Sequence, residues 1–516
     1  MRLLIIYAAC FVCSVSPREL FCPPECICHT GIITTGVKGY IISSDSENMS
    51  RIPDLSGLTS NPQPKLLRLS RKAITRVTPA DFPEGIGITR LILAGNREMN
   101  LEDDAFSNLH DSLEYLDLEL TKIFFNNSLT FLRGLGKLKY LDLSFNNKYR
   151  YQFGDSKIVS RLFYGLGMSS LIKLKMNKCG IQSIGSDVFL GIETLEELDL
   201  ARNSLSSVPD GIAPLSDLTF LDLSHSRFAT LKKKRFMHNK KLMTLKMLYT
   251  RVTTIDADAL FGLEKSLENL HIAYSKLSEF PTDAIKQLTA LKVFELTSNP
   301  LTTIPGGSMS GSFCLKDLHI SQTSITLTHD SFEGQEKCIK HLFMRNMGIE
   351  NIPVEPLRSL KKLHRLFLDE NKIQVLRTDS LTGIKANLLV LSENPLARIE
   401  KGAFDNLTYP LYVELPNTRL EDLNFALDYS PGTFDSLNVR GLSLQCDCTL
   451  AFLIDEGVSL SGSCNAMDIK MDLRNASLPE YLSDKCSAEA NFVCGHVILL
   501  NMIGLLMVSS VRNVVC

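Results

Sequence analysis

Residues 195–205 read Leu-Glu-Glu-Leu-Asp-Leu-Ala-Arg-Asn-Ser-Leu, so Leu195, Leu198, Leu200, Asn203 and Leu205 follow the spacing LxxLxLxxNxL. Residues 363–373 repeat it with Leu363, Leu366, Leu368, Asn371 and Ile373. Leucines two apart point to one face of a short strand. With the second leucine numbered position 4, that position recurs at Leu67, Leu91, Leu116, Leu141, Leu174, Leu198, Leu221 and Leu245. It continues at Leu270, Phe294, Leu318, Leu342, Leu366, Leu389, Val413 and Leu437, making sixteen repeats. Every interval is 23 to 25 residues except Leu141 to Leu174, which is 33. Chance does not hold one register over so long a stretch.

A repeat of this size cannot bury its own apolar face, whereas stacked copies can. The pattern therefore predicts a single, continuous, right-handed α/β solenoid lined by a parallel inner sheet. Position 9 is Asn at Asn96, Asn146, Asn203, Asn299, Asn371 and Asn394. A buried Asn there can pair backbone groups that a tight turn leaves open. Cys179 occupies the same position and reads as a buried structural cysteine. The long fourth interval holds about nine extra residues with no LxL pair, including Tyr149, Arg150, Tyr151 and Phe153. They are expected to form a protruding loop.

The second half of many repeats carries an FxxL element, as in Phe106 with Leu109, Phe163 with Leu166 and Phe404 with Leu407. Together with the repeat spacing, this resembles the "typical" 24-residue class of extracellular leucine-rich-repeat proteins, which includes Toll-like ectodomains, slit, chaoptin and the Nogo receptor. The resemblance covers about residues 22–486. It implies a horseshoe with an irregular, helical-turn outer face and cysteine-capped ends.

Cys22, Cys26 and Cys28 resemble the N-terminal cap of that family. Such caps usually carry a fourth cysteine, and His29 to Leu66 contains none, so one of the three is unpaired or pairs elsewhere. Cys446, Cys448, Cys464 and Cys486 resemble the C-terminal cap, in which first pairs with third and second with fourth. Carried over, this gives Cys446–Cys464 and Cys448–Cys486; zinc would require CxxC-type pairs. Cys314 and Cys338 lie one repeat apart, each just before position 1. The same register on adjacent rungs places them about 5 Å apart, within disulfide range.

Lys plus Arg number 55 and Asp plus Glu 57, for a net charge of -2, which argues against a dedicated nucleic-acid binder. A hydrophobic share of 44% argues against global disorder. Arg2 and the apolar run Leu3–Val15 read as a secretory signal, removing Cys10 and Cys13 with it. Four sequons, at Asn48, Asn126, Asn406 and Asn475, then become glycosylation sites. The run from Phe492 to Val511 fits a cleaved GPI signal or one transmembrane span, with full secretion as the third option. His496 and Asn501 are costly within a span, and Arg512 is unwelcome in a GPI tail. The expected organisation is signal peptide 1–16, N-terminal cap 17–63, repeats 64–442, C-terminal cap 443–486 and apolar tail 487–516. That places the chain outside the cell, anchored to the plasma membrane through its tail.

No HExxH, GxSxG or phosphate-binding Gly loop occurs, so no enzyme, cofactor or metal is expected. The expected role is recognition or adhesion: binding an extracellular protein or glycan through the inner sheet, with a co-receptor or homophilic partner. The alternative is a non-catalytic subunit or inhibitor held on a secreted enzyme. Positions 3, 5 and 7 point out of the sheet and form columns across rungs. The position-5 column is mostly polar until Phe343, Phe367 and Val390, an apolar strip beside His341 and Tyr412. Exposed strips of this kind mark binding sites. Tyr115 with Tyr140 at position 3, and Tyr249 with Tyr274 at position 8, are further candidates. His271, His319, His341 and His364 fall in strand segments and read as exposed polar residues, with a pH-sensitive or metal-binding surface at His319 and His341 as the alternative.

Overall fold

The structure is a computed structural model describing residues 21–125, 128–147, 157–158, 161–311, 313–405, 407–466 and 469–487. The expected leader, most of the apolar tail, Asn126, Asn406 and the insertion residues Tyr149, Arg150, Tyr151 and Phe153 lie outside these. The described residues divide between two compact units, the first running to residue 204 with 209–218, and the second made of 205–208 with the residues from 219 onward.

The first unit opens with an antiparallel hairpin, Ile27–Thr34 and Val37–Ser43. The hairpin's second strand then runs parallel to Lys65–Arg68, with Ile42 opposite Leu67. Ile88–Ile92, Tyr115–Asp117, Tyr140–Asp142, Lys173–Lys175 and Glu197–Asp199 follow, each parallel to its neighbour. Leu141 lies opposite Leu174, so the 33-residue interval is still one rung. The second unit stacks ten repeat strands from Phe220–Asp222 to Phe434–Asn438 and closes on Ser459–Ser461, where Leu437 faces Leu460. Each unit is a parallel-sheet solenoid.

Position 4 faces position 4 on the next rung, and these side chains are buried. Each such leucine contributes about 1.5–3 kcal/mol of apolar burial. In the second half of the repeat, phenylalanines stack into the same core. Phe82 lies 5.8 Å from Phe106, and Phe163 lies 6.2 Å from Phe189.

Where position 9 is Asn, its side chain holds the turn after the strand. Asn371 Oδ1 accepts the Met347 and Ile349 N–H groups, while its Nδ2 donates to the Met344 and Leu368 carbonyls, all within 3.1 Å. Asn96, Asn146 and Asn203 do the same on their rungs. Cys179 is buried and its thiol donates to the Leu143 carbonyl at 3.3 Å. Position 8 has a left-handed backbone in all sixteen repeats, with φ between 50° and 81°. Only Gly95 and Gly441 are glycine there; elsewhere the cross-rung ladder, such as Tyr249 N–H donating to the Ala273 carbonyl, holds an ordinary residue in that conformation.

Disulfides lie at both ends. Cys22 is bridged to Cys28 with Cα atoms 5.8 Å apart, leaving Cys26 as a free thiol. Cys446–Cys464 and Cys448–Cys486 have Cα separations of 5.0 and 5.6 Å. Between them starts the helix Cys448–Asp455, capped by the Asp447 carboxylate, which accepts the Thr449 and Leu450 N–H groups. Cys314 and Cys338 are bridged across one rung at 5.1 Å. Among the described residues no helix is long and apolar enough to cross a membrane.

Candidate ligand-binding surface

In the second unit, three-residue strands leave positions 3 and 5 partly exposed on one face while position 4 is buried. The position-5 column runs His271, Glu295, His319, Phe343, Phe367, Val390 and Glu414 on successive rungs. Because parallel in-register strands repeat side chains at strand spacing, flat rings in one column stack face to face. Phe343 and Phe367 have centroids 4.3 Å apart and planes 7° apart. His319 continues the stack on the other side, 3.8 Å from Phe343 at 5°. The strip therefore begins one rung earlier than Phe343. His319 sits in the same column in the sequence, but its polar type hid it.

Beside the strip, the position-3 column runs Asp317, His341, Arg365, Leu388 and Tyr412. His341 Nδ1 meets Asp317 Oδ1 at 2.5 Å rather than stacking with the rings. His271 Nδ1 meets Glu295 Oε2 at 2.6 Å. That hydrogen bond is the main cause holding the Glu295 carboxyl below its ordinary range. Burial pushes His319 down from the usual imidazole value, although Glu295 and Asp317 pull the other way. At neutral pH His319 is thus an uncharged ring in an apolar stack. His364 is exposed and takes no part in it. Among the described residues no group of three or more His, Cys, Asp or Glu side chains is placed to hold a metal.

The other two candidates are also stacks. In the first unit Tyr115 and Tyr140 lie 4.1 Å apart at 7°, and the Arg90 guanidinium covers Tyr115 at 3.7 Å. Tyr140 Oη donates to Asp142 Oδ2 at 3.2 Å. Asp117 stands beside Asp142, and its carboxyl is pushed up to about 6 by burial, with the Asp142 and Glu119 charges adding to the shift. In the second unit Tyr249 lies 4.4 Å from Tyr274 and 4.7 Å from His225, a three-ring stack at position 8. Arg90 and His225 were not legible as members, since neither is an apolar aromatic.

A model described as leucine rich repeat matches residues 169–228 and 265–325. The chain is 26% identical over 338 residues to transforming growth factor beta activator LRRC33 of Danio rerio, covering 62% of this chain and 44% of that protein. It is 27% identical over 362 residues to podocan of Mus musculus, covering 60% and 56% respectively. The chain thus spans about half the length of these relatives. The mouse RP105/MD-1 complex superposes with a TM-score of 0.59 at 20% identity, covering 81% of this chain and 78% of that one. The chain carries leucine-rich repeats and has a disulfide near each end. Its sequence relatives are extracellular proteins of that kind.

Proposed function

We propose that this chain is an extracellular recognition protein that binds a protein ligand through the second unit's inner sheet. The observation that carries the reading is the stack His319–Phe343–Phe367, continued by Val390 and left partly exposed. Preordered aromatic rings lose little conformational freedom on binding and serve as interface anchors. One relative is named as an activator of a growth factor, and a structural neighbour was solved with the protein MD-1. These support a protein partner and a role in binding rather than catalysis. The leader 1–16, the caps and the tail 487–516 complete the proposed organisation of an anchored surface protein, with glycans at the exposed Asn48 and Asn475.

The test is Phe343→Ser combined with Phe367→Ser in the secreted chain, with binding measured on intact cells. Losing two anchors is expected to weaken binding at least tenfold, on the order of 1–2 kcal/mol per ring. Unchanged binding with an unchanged unfolding midpoint would remove the site assignment.

A further inference from the structure

Residues 232–241 read Lys-Lys-Lys-Arg-Phe-Met-His-Asn-Lys-Lys: six cations and no acid in a chain whose net charge is -2. The run follows the short strand Thr230–Leu231 in the second half of its repeat, away from the inner-sheet positions. Lys232, Lys233, Lys234 and Lys240 are exposed, as is Lys265 on the next rung.

Elsewhere in the molecule many lysines are matched to acids. Lys139 meets Glu114, Lys173 meets Glu197, Lys292 meets Glu268 and Lys286 meets Asp283. In contrast, Lys232, Lys233, Lys234, Lys240 and Lys265 have no ion pair among the described residues. Two acids stand beside them without pairing to a lysine ammonium. Asp256 accepts the Lys233 backbone N–H at 3.1 Å, and both Glu264 carboxylate oxygens accept the Gly262 N–H. These five lysines outnumber the two neighbouring carboxylates, so this part of the surface carries an excess of positive charge.

The field borders an apolar hollow of about 670 Å³ lined by Met237, His238, Lys240, Phe261, Glu264 and Lys265, with Gly262 between. Phe261 is 45% exposed and Met237 38%. Gly262 has φ of 100°, and a Cβ there would come within 2.7 Å of the Met237 Cα, so the two rungs close tightly beneath the hollow. Lys234 Nζ lies 5.7 Å from the Phe261 ring centroid. Cations spread along a turn suit a linear polyanion rather than a single phosphate. An exposed ring among them suits the apolar face of a pyranose.

We infer that the surface of residues 232–241 with Phe261 and Lys265 is a binding site for a sulfated linear polysaccharide. Sulfates pair with the lysines, and one sugar ring packs on Phe261. The site is separate from the aromatic strip and does not depend on it.

The experiment measures the full secreted chain on immobilised heparin at about 0.15 M salt. Four proteins are compared: wild type, Lys232→Ala with Lys233→Ala and Lys234→Ala, Phe261→Ala, and the inner-sheet variant Phe343→Ser with Phe367→Ser. Wild type is expected to bind, with affinity falling steeply as salt rises through counterion release. The triple lysine variant is expected to lose at least tenfold and to show a shallower salt dependence. Phe261→Ala is expected to lose about threefold, with the triple variant as the readout if it fails to fold. The inner-sheet variant is expected to bind heparin as wild type does, so failure here and failure of the strip are distinguishable. The inference is overturned if wild type does not bind or if the triple variant binds unchanged. Equal binding to desulfated heparin also overturns it. So does binding to phosphatidylserine vesicles or single-stranded RNA at least as tight as to heparin.

Discussion

His319 lies face to face with Phe343, centroids 3.8 Å apart, one rung along the same column. The groups facing it are Glu295 and His271 from preceding rungs, Asp317 on its own strand and His341 on the next. Burial outweighs the two carboxylates and lowers its folded value below the ordinary 6.5. The unfolded chain therefore binds the proton more readily. The His319 contribution is full above about pH 6.5 and is lost as pH falls through the lowered folded value. Acidification from pH 7 to 5 is expected to lower the second unit's unfolding midpoint and to weaken ligand binding at the strip. His319→Phe keeps the stack and is expected to flatten both dependences. A variant titrating like wild type would show that His319 is not responsible.

Asp117 has the opposite sign. Its carboxyl is pushed up to about 6, above the unfolded value near 3.9, by burial and by Asp142 and Glu119. Its contribution is present below about pH 3.9 and lost as pH rises through about 6. Asp117→Asn can keep the bond from the Glu119 N–H, which Asp117 Oδ1 now accepts at 3.0 Å. The variant is expected to be more stable than wild type at pH 7.5. The gain is on the order of 1 kcal/mol, because partial exposure screens the full value. Denaturant midpoints at pH 7.5 and pH 5 check both size and direction.

The core was legible because it repeats. Position 4 recurs from Leu67 to Leu437, and within each unit the rungs pair it with its counterpart. The stacked rings were legible only where residue type announced them, as at Tyr115 and Tyr140. His319, His225 and Arg90 join their stacks through geometry that a column of letters does not display. Position 8 was not legible as left-handed, since Leu120, Arg202 and Tyr249 share no turn preference. The constraint there comes from hydrogen bonds to the next rung. Three cysteines within seven residues allow three pairings, and only the structure selects Cys22–Cys28. The basic run fell in the half-repeat whose positions the pattern leaves free.

Asn371 closes five backbone hydrogen bonds around one turn, the longest to the Asp369 carbonyl at 3.3 Å, and its side chain is buried. Asn371→Ala leaves the Met347 and Ile349 N–H groups and three carbonyls without that partner. The expected loss is about 2–4 kcal/mol, several times that of an exposed substitution. Asn371→Asp retains the acceptor but loses the donor, and is expected to fall between. Urea unfolding of the three proteins gives the order, and an alanine variant as stable as wild type would deny the ladder its role.

Cys314 and Cys338 tie adjacent rungs through a 24-residue loop, each standing just before its repeat strand. Leu315 and Ile339, the next residues, are fully buried, so the bridge sits at the edge of the core. It lies one turn before Asp317–His319 and His341–Phe343, the two strands that begin the aromatic strip. A loop of this length is worth roughly 3 kcal/mol in the unfolded chain. Cys314→Ser with Cys338→Ser is therefore expected to lower stability by about 2–4 kcal/mol. The strip itself is built by strand pairing of Leu318 with Leu342, which the double variant keeps. Binding well below the melting temperature is expected to stay within about threefold of wild type, while the midpoint drops. A variant that keeps its midpoint but loses binding would instead show that the bridge sets the register of His319 against Phe343. Calorimetry on both proteins, paired with the cell-binding assay, separates the two outcomes.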